Sequence, residues 1–274
     1  MSFLSSRWIL LSMLSMFSVL SLIAVSSAEG QSGEEVATPE DELVNPVYAA
    51  QNPFRPGEVH RFQAHFGVIR AGRASLEVSG PERVRGHDAL RFDMSIQGGI
   101  PGARIRNQVT SWAYGSPLRT LRFVQDLNEV GSERYRSYEI YPDRGISILE
   151  HENDEEEEFS TNLPLDDISF IYFARTLPLE VGDRYVLPRY FRDSGNPVIL
   201  EVLRVETISV PAGRYETIVV QPTFRSRGLF GEGAEAEVHF SNDYSRIVVQ
   251  VRSRISRLGS LTLRLTEDPR RVGS

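Results

Sequence analysis

The sequence predicts an all-β, mainly antiparallel domain: a large curved sheet or half-open β-barrel with one short helix. Three observations predict it. Apolar residues alternate with polar ones in run after run, turn-forming clusters separate the runs, and a single stretch abandons the period of two.

The elements follow in chain order. Phe62, Ala64, Phe66 and Val68 alternate with polar partners, as a strand with one face on a core requires. Ala74, Leu76 and Val78 form a second run after "AGR", and Gly72 is expected to supply the positive φ of a tight turn leading into it. Leu90, Phe92, Met94 and Ile96 form a third run, and Leu121, Phe123 and Leu127 a later one. Past the middle, Val198, Leu200 and Val202 alternate. Tyr215, Thr217 and Val219 follow a second "AGR", where Pro211 pre-sets the turn and Gly213 is expected to complete it. "SGPERVRGHD", "YGSP", "YPDRG", "DSGNP" and "SNDYS" punctuate the runs as hairpin turns, and roughly a dozen strands result. The exception is "LPLDDISFIYFARTLPLEVGD". There Asp166 or Asp167 can cap a helix after Pro164, Ile168, Ile171 and Tyr172 share one helical face, and Leu177-Pro178 stops it.

Neither glycine of the two "AGR" copies precedes a helix whose N-terminus could receive an anion, so both read as structural turns, not phosphate loops.

The first 28 residues obey a different logic. Arg7 gives a short basic start, Trp8 to Val25 carries no charge, and Ser26 and Ala28 occupy the small positions of a cleavage site. This predicts a secretory signal peptide over residues 1–28, cleaved after Ala28, and a periplasmic or secreted protein. Ser12, Ser15, Ser18 and Ser21 dilute the run's hydrophobicity, which weighs against an uncleaved anchor, so no stable membrane span is expected after cleavage. Residues 29–45 are acidic and lack aromatics, and read as a disordered tether. A single β domain is expected over 46–268, with a tail at 269–274. With no Cys, that domain must hold together by packing alone.

Composition and motifs exclude more than they assign. The formal net charge of -7 argues against a nucleic-acid partner, which needs a dense basic footprint. All 30 basic residues are Arg, but they spread along the whole chain. There is no G-x-S-x-G elbow, no Cys nucleophile and no H-E-x-x-H. His60 and His65 lie five apart on a strand, hence on opposite faces, and cannot share a metal. The expectation is therefore no enzyme, no cofactor and no metal. The acidic run Glu150–Phe159 lacks the glycine and alternate spacing of an ordered calcium loop, and reads as a solvated hairpin tip. Arg175, Arg184, Arg189 and Arg192, interleaved with Tyr172, Tyr185, Tyr190 and Phe191, fit an anionic or glycan-like ligand, or else an amphipathic edge strand.

Four blocks in order carry a resemblance: "FGVIRAGRASLEV", "LDDISFIYFARTLPLEVGD", "VETISVPAGRYETIVVQP" and "AEVHFSNDYSRIVVQVRSRISRLGSLTLRL". Together, from about Phe62 to Leu265, the chain resembles the domain of unknown function family 3108, exported bacterial proteins with no assigned chemistry. The resemblance implies an antiparallel β domain akin to the half-open barrels of periplasmic lipoprotein carriers, and no activity.

Two functions from different classes follow. In one, the sheet encloses a cavity that binds a lipid or other hydrophobic molecule in the envelope, with Phe66, Leu90, Phe92 and Met94 as inward residues and Tyr172 and Arg175 as further ligand-binding candidates. In the other, the domain is a structural or adaptor module that binds a protein or cell-wall polymer on its surface. An integral outer-membrane barrel is disfavoured, because Arg73, Glu77, Arg91 and Asp93 would face lipid.

Overall fold

The computed structural model describes residues 52–100, 103–129, 132–150, 154–224, 234–255 and 259–270. The expected signal peptide, the tether, the first residues of the expected domain and the last four of its tail lie outside these.

Eight strands precede the helix: β1 (Val59–Phe66), β2 (Ile69–Val84), β3 (His87–Ile100), β4 (Ala103–Tyr114), β5 (Arg119–Glu129), β6 (Ser132–Tyr141), β7 (Ile146–Glu150) and β8 (Glu155–Glu158). After α1 (Asp167–Ala174) come β9 (Arg184–Leu187), β10 (Val198–Val210), β11 (Gly213–Thr223), β12 (Ala234–Ser241), β13 (Val248–Ile255) and β14 (Gly259–Leu265). All fourteen form one sheet in the order β8-β7-β6-β5-β4-β3-β2-β1-β14-β13-β12-β11-β10-β9. Two meanders thus meet at the β1–β14 seam, where Phe62 pairs with Leu265 and Ala64 with Leu263.

The sheet does not close, since β8 and β9 are its two edges. Side chains span the opening instead of a backbone ladder. Arg192 donates from Nε to Glu157 Oε2 at 2.9 Å, and the Ser160 hydroxyl donates to Asp193 at 2.5 Å. The edge strand β8 reads Glu-Glu-Glu-Glu, and such a charged edge resists pairing with another chain. The acidic run is therefore partly an edge strand and not only a hairpin tip; His151 to Asn153 lie outside the described residues.

Alternation predicts β1, β3 and β10 well because one face of each meets the core. Bulges break it elsewhere. One between Trp112 and Ala113 leaves Leu121 unpaired and turns it to the opposite face from Phe123, into a small cluster with Val84 and Ala89. "SGPERVRGHD" is mostly strand: β2 runs on to Val84, past a register shift between Ser79 and Glu82, and turns at Arg85–Gly86. Val68 does not continue the inward row of β1, for it is 97% exposed in the β1–β2 turn.

Gly72 requires a correction too. It lies inside β2, opposite Gly98 of β3, with no positive φ. The turn belongs to Gly67, at φ 56°. Gly213, in contrast, has φ 137° directly after the Pro211–Ala212 turn, a conformation that favours glycine.

Helix α1 starts at a capping box. The Asp166 carboxylate accepts from the Ile168 and Ser169 amides, while the Ser169 hydroxyl accepts from the Asp166 amide at 2.9 Å. The expected single apolar face gives way to a helix buried all round, with Ile168 through Ala174 all buried and the polar Ser169 satisfied within the cap. The helix packs on β3 and β4, and Phe170 reaches Phe224, just beyond β11, with ring centroids 5.1 Å apart. It therefore lies within the curve of the sheet and meets both halves.

Candidate functional site

The concave face is the surface that could take a ligand, and its composition follows from register. Residues directly opposite on antiparallel strands share a face. From β6 to β2, one row reads Tyr138, Phe123, Ser111, Phe92 and Val78. The next reads Arg136, Gln125, Val109, Met94 and Leu76, and the one beyond it Arg134, Leu127, Asn107, Ile96 and Ala74.

Helix α1 fills the first row's end of this face. Phe92 is fully buried, its ring 4.4 Å from that of Tyr172 and 5.7 Å from that of Phe54. Phe123 and Tyr138 pack against Phe191 at 5.8 and 5.2 Å. The Asp166 carboxylate, buried beneath the helix, accepts from the hydroxyls of Ser111 at 2.5 Å and Thr120 at 2.8 Å. These bonds oppose the desolvation that raises its pKa. Asp167 is raised to about 6, chiefly by burial and then by the neighbouring Asp166, with the Tyr190 hydroxyl donating to it at 3.1 Å.

The expected ligand residues therefore separate. Phe92 and Tyr172 meet, but as core. Arg175 is not open to a ligand: its side chain is wholly buried, pairs with Glu58 at 2.5 Å, and donates to the carbonyls of Pro53 and Ser245. Flanked by the Phe54 and Tyr172 rings, it ties the helix to the start of β1 and to the β12–β13 connection. Arg189 is likewise internal, donating to the Leu163 and Leu118 carbonyls. Arg184 pairs with Glu201 across the β9–β10 ladder. The basic cluster thus has structural work at each member.

Met94 and Leu90 remain half-buried against the core. Phe66 is half-buried at the β1–β2 turn end, opposite Leu261, which is also half-buried. At that end the concave face keeps accessible apolar surface at Phe66 and Leu261, whereas Met94 lies in the row next to Phe92, beside α1.

Arg134 and Arg136 went unrecognised in the sequence. Both are half-buried on the concave side, paired with Leu127 and Gln125. The signal was "ERYRSY", in which Arg134, Arg136 and Tyr138 recur at period two; alternation marks a face, but charge made this face look like solvent. Nearby, burial pushes the Tyr138 hydroxyl up in pKa, against the pull of Arg192 and Arg136.

Elsewhere, two surface clefts border Arg270. One, about 470 Å³, lies between residues 52–58 and Tyr244–Ser245; the other is lined by Gly213–Glu216 and Ser241–Asp243. Arg270 is held by Asp268 and Asp243. Among the described residues, no three His, Asp or Glu converge to hold a metal ion, and no helix is long and apolar enough to cross a membrane.

The family described as "Protein of unknown function (DUF3108)" matches residues 61–266. No curated protein matches the chain. Among solved structures, a beta-barrel-like protein of domain of unknown function DUF1849 from Brucella abortus is similar, with a TM-score of 0.48 and 10% identity over 76% of this chain and 95% of that one.

Proposed function

The chain belongs to the DUF3108 family, a family of unknown function, and from that premise we propose an exported, non-enzymatic envelope protein that binds a hydrophobic molecule on its concave face. One observation carries the reading. Helix α1 and its ring cluster fill the face at one end, while Phe66 and Leu261 stay half-exposed at the other. Apolar side chains on a concave surface, left partly in water, gain about 25 cal/mol for each Å² that a ligand covers. The fit is to an apolar molecule seated at the Phe66–Leu261 end, since α1 and its ring cluster occupy the other. Export rests on the signal-like residues 1–28.

Native mass spectrometry of the protein purified from its own envelope tests the reading. A retained lipid on a chain beginning at Glu29 is the expected result. A ligand-free chain that also takes up no fluorescent fatty acid would refute it.

A second role has its own observation. Val68 and Ile69, 97% and 59% exposed at the β1–β2 turn beside Arg70, form an apolar tip for docking a protein or cell-wall polymer. Val68→Ser with Ile69→Ser should abolish co-purification of such a partner without lowering the melting temperature.

A further inference from the structure

We propose that the convex face of the sheet, around the β1–β14 seam, binds a linear acidic polysaccharide through arginines that the register gathers from distant parts of the chain. This goes beyond the hydrophobic-ligand reading and uses the opposite face of the sheet.

Register fixes the surface. From β13 to β4, one row reads Gln250, Arg264, Gln63, Arg73, Gln97 and Arg106. The row beside it reads Arg252, Thr262, His65 and Arg70 from β13 to β2, and on β4 Arg104 stands two residues from Arg106. Leu263, Phe62, Ala74 and Ile96, each adjacent in sequence to a member of the first row, are core, so the rows themselves project outward. Arg264, Arg73, Arg106, Arg70 and Arg104 are exposed, and Arg252 is half-buried. Along both rows the first carboxylates stand past the ends, at Glu237 on β12 and Glu133 on β6. A chain with a net charge of -7 thus sets six arginines side by side, while its glutamates line the edge strand β8.

Like charges held this close repel one another, and a polyanion laid over them relieves the repulsion while shedding its own counterions. In the first row arginine recurs on every second strand, about 10 Å apart at about 4.8 Å per strand. Such a spacing suits acid groups repeated along a polymer, each gripped by a guanidinium fork. Gln63 and Gln97 stand between the arginines, and their amides both donate and accept, which matches sugar hydroxyls. Gln97 also steadies Arg73, whose guanidinium donates to its Oε1 at 2.9 Å.

Other polyanions fit this face less well. The two rows hold no Phe, Tyr or Trp on which a nucleic-acid base could stack. They also run around the outside of a curved sheet for five strand spacings, about 24 Å. A flat bilayer would meet only the crest of that curve, whereas a flexible polymer can follow it.

Binding of fluorescent polygalacturonate, compared with neutral dextran, oligodeoxythymidine and phosphatidylglycerol vesicles, tests the proposal. Wild type should bind polygalacturonate, release it as salt rises from about 50 to about 300 mM, and ignore dextran. Arg73→Gln with Arg106→Gln and Arg264→Gln should weaken binding at least about tenfold, the combined effect of three exposed charge contacts. Fatty-acid uptake by that triple variant should be unchanged, which separates this face from the concave one. Arg83→Gln with Arg144→Gln and Arg214→Gln removes three exposed arginines from elsewhere and should bind like wild type. If the first triple variant melts early, Arg264→Gln alone should still weaken binding. No binding of polygalacturonate, equal weakening in the charge-matched control, or full binding by a folded triple variant would overturn the proposal. Tighter binding of the oligonucleotide or of the vesicles, or displacement by dextran, would overturn the acidic polysaccharide as the partner.

Discussion

Gly72 of β2 and Gly98 of β3 face each other so closely that neither has room for a side chain. A Cβ on Gly72 would lie 2.2 Å from the Gln97 carbonyl oxygen, and one on Gly98 would lie 2.2 Å from that of Ala71. The obstacles are backbone, so no rotamer change relieves them. Glycine is required here for close approach, whereas at Gly213 it is required for φ.

Gly72→Ala and Gly98→Ala should each destabilise the protein by about 1–3 kcal/mol, as overpacking does. Because the two contacts relieve together if the strands part, the double variant should cost less than the sum of the singles. Thermal melts decide this, and unchanged midpoints in both singles would contradict the close approach.

Glu58→Gln should leave the buried Arg175 charge without its carboxylate. The expected loss is about 3–5 kcal/mol, the range for breaking a buried pair from one side. Arg175→Met with Glu58→Gln should recover part of it. Urea unfolding of the three variants measures the effect, and a double variant worse than Glu58→Gln alone would speak against the pair.

Stability should peak in mild acid. Asp167 has a folded pKa raised to about 6 from 3.8, so the folded state holds its proton more firmly than the unfolded chain. Stability therefore falls as pH rises through about 4 to 6, by at most about 3 kcal/mol and by less where water reaches the side chain. Asp268 is lowered to about 2, chiefly by the Arg270 hydrogen bonds, so its contribution is present above about pH 4 and lost as pH falls toward 2. Melts from pH 3 to 7 should show Asp167→Asn flattening the upper slope and Asp268→Asn the lower. An Asp167→Asn profile parallel to wild type would refute the assignment.

Phe92→Trp should overfill the ring cluster of Phe54, Phe92 and Tyr172, costing about 1–3 kcal/mol, and should leave uptake of a fluorescent fatty acid unchanged wherever the protein remains folded. Reduced uptake at unchanged stability would place the ligand against Phe92 after all.

Local order was legible where one strand face meets the core and the other meets water. Phe62 and Ala64, Phe92 and Ile96, and Val198, Leu200 and Val202 all fall inward as their alternation says. The helix was legible through its cap, since Asp166 and Ser169 act within one turn of chain. What failed was non-local. Leu121 changes face at a bulge that depends on its partner strand, and Gly72 is glycine because of a residue 26 positions away. At the candidate site, Met94 was found by period and Arg175 by composition. Period gave a correct face. Composition could not tell a buried ion pair from a receptive cation, because that difference lies in whether a carboxylate such as Glu58 arrives from elsewhere.

The seam between β1 and β14 bears on how the chain is made. Of the described strands β1 is the first to leave the ribosome and β14 the last, yet Phe62 finds its ladder partner in Leu265. Until the final strand arrives, β1 keeps one row of amides and carbonyls unsatisfied beside Phe62 and Ala64, an edge open to pairing with a neighbouring molecule. The two meanders can zip locally, but joining them must wait for β14. Crowded production, or truncation before Gly259, should therefore yield aggregates seeded at β1, the oldest of the described strands.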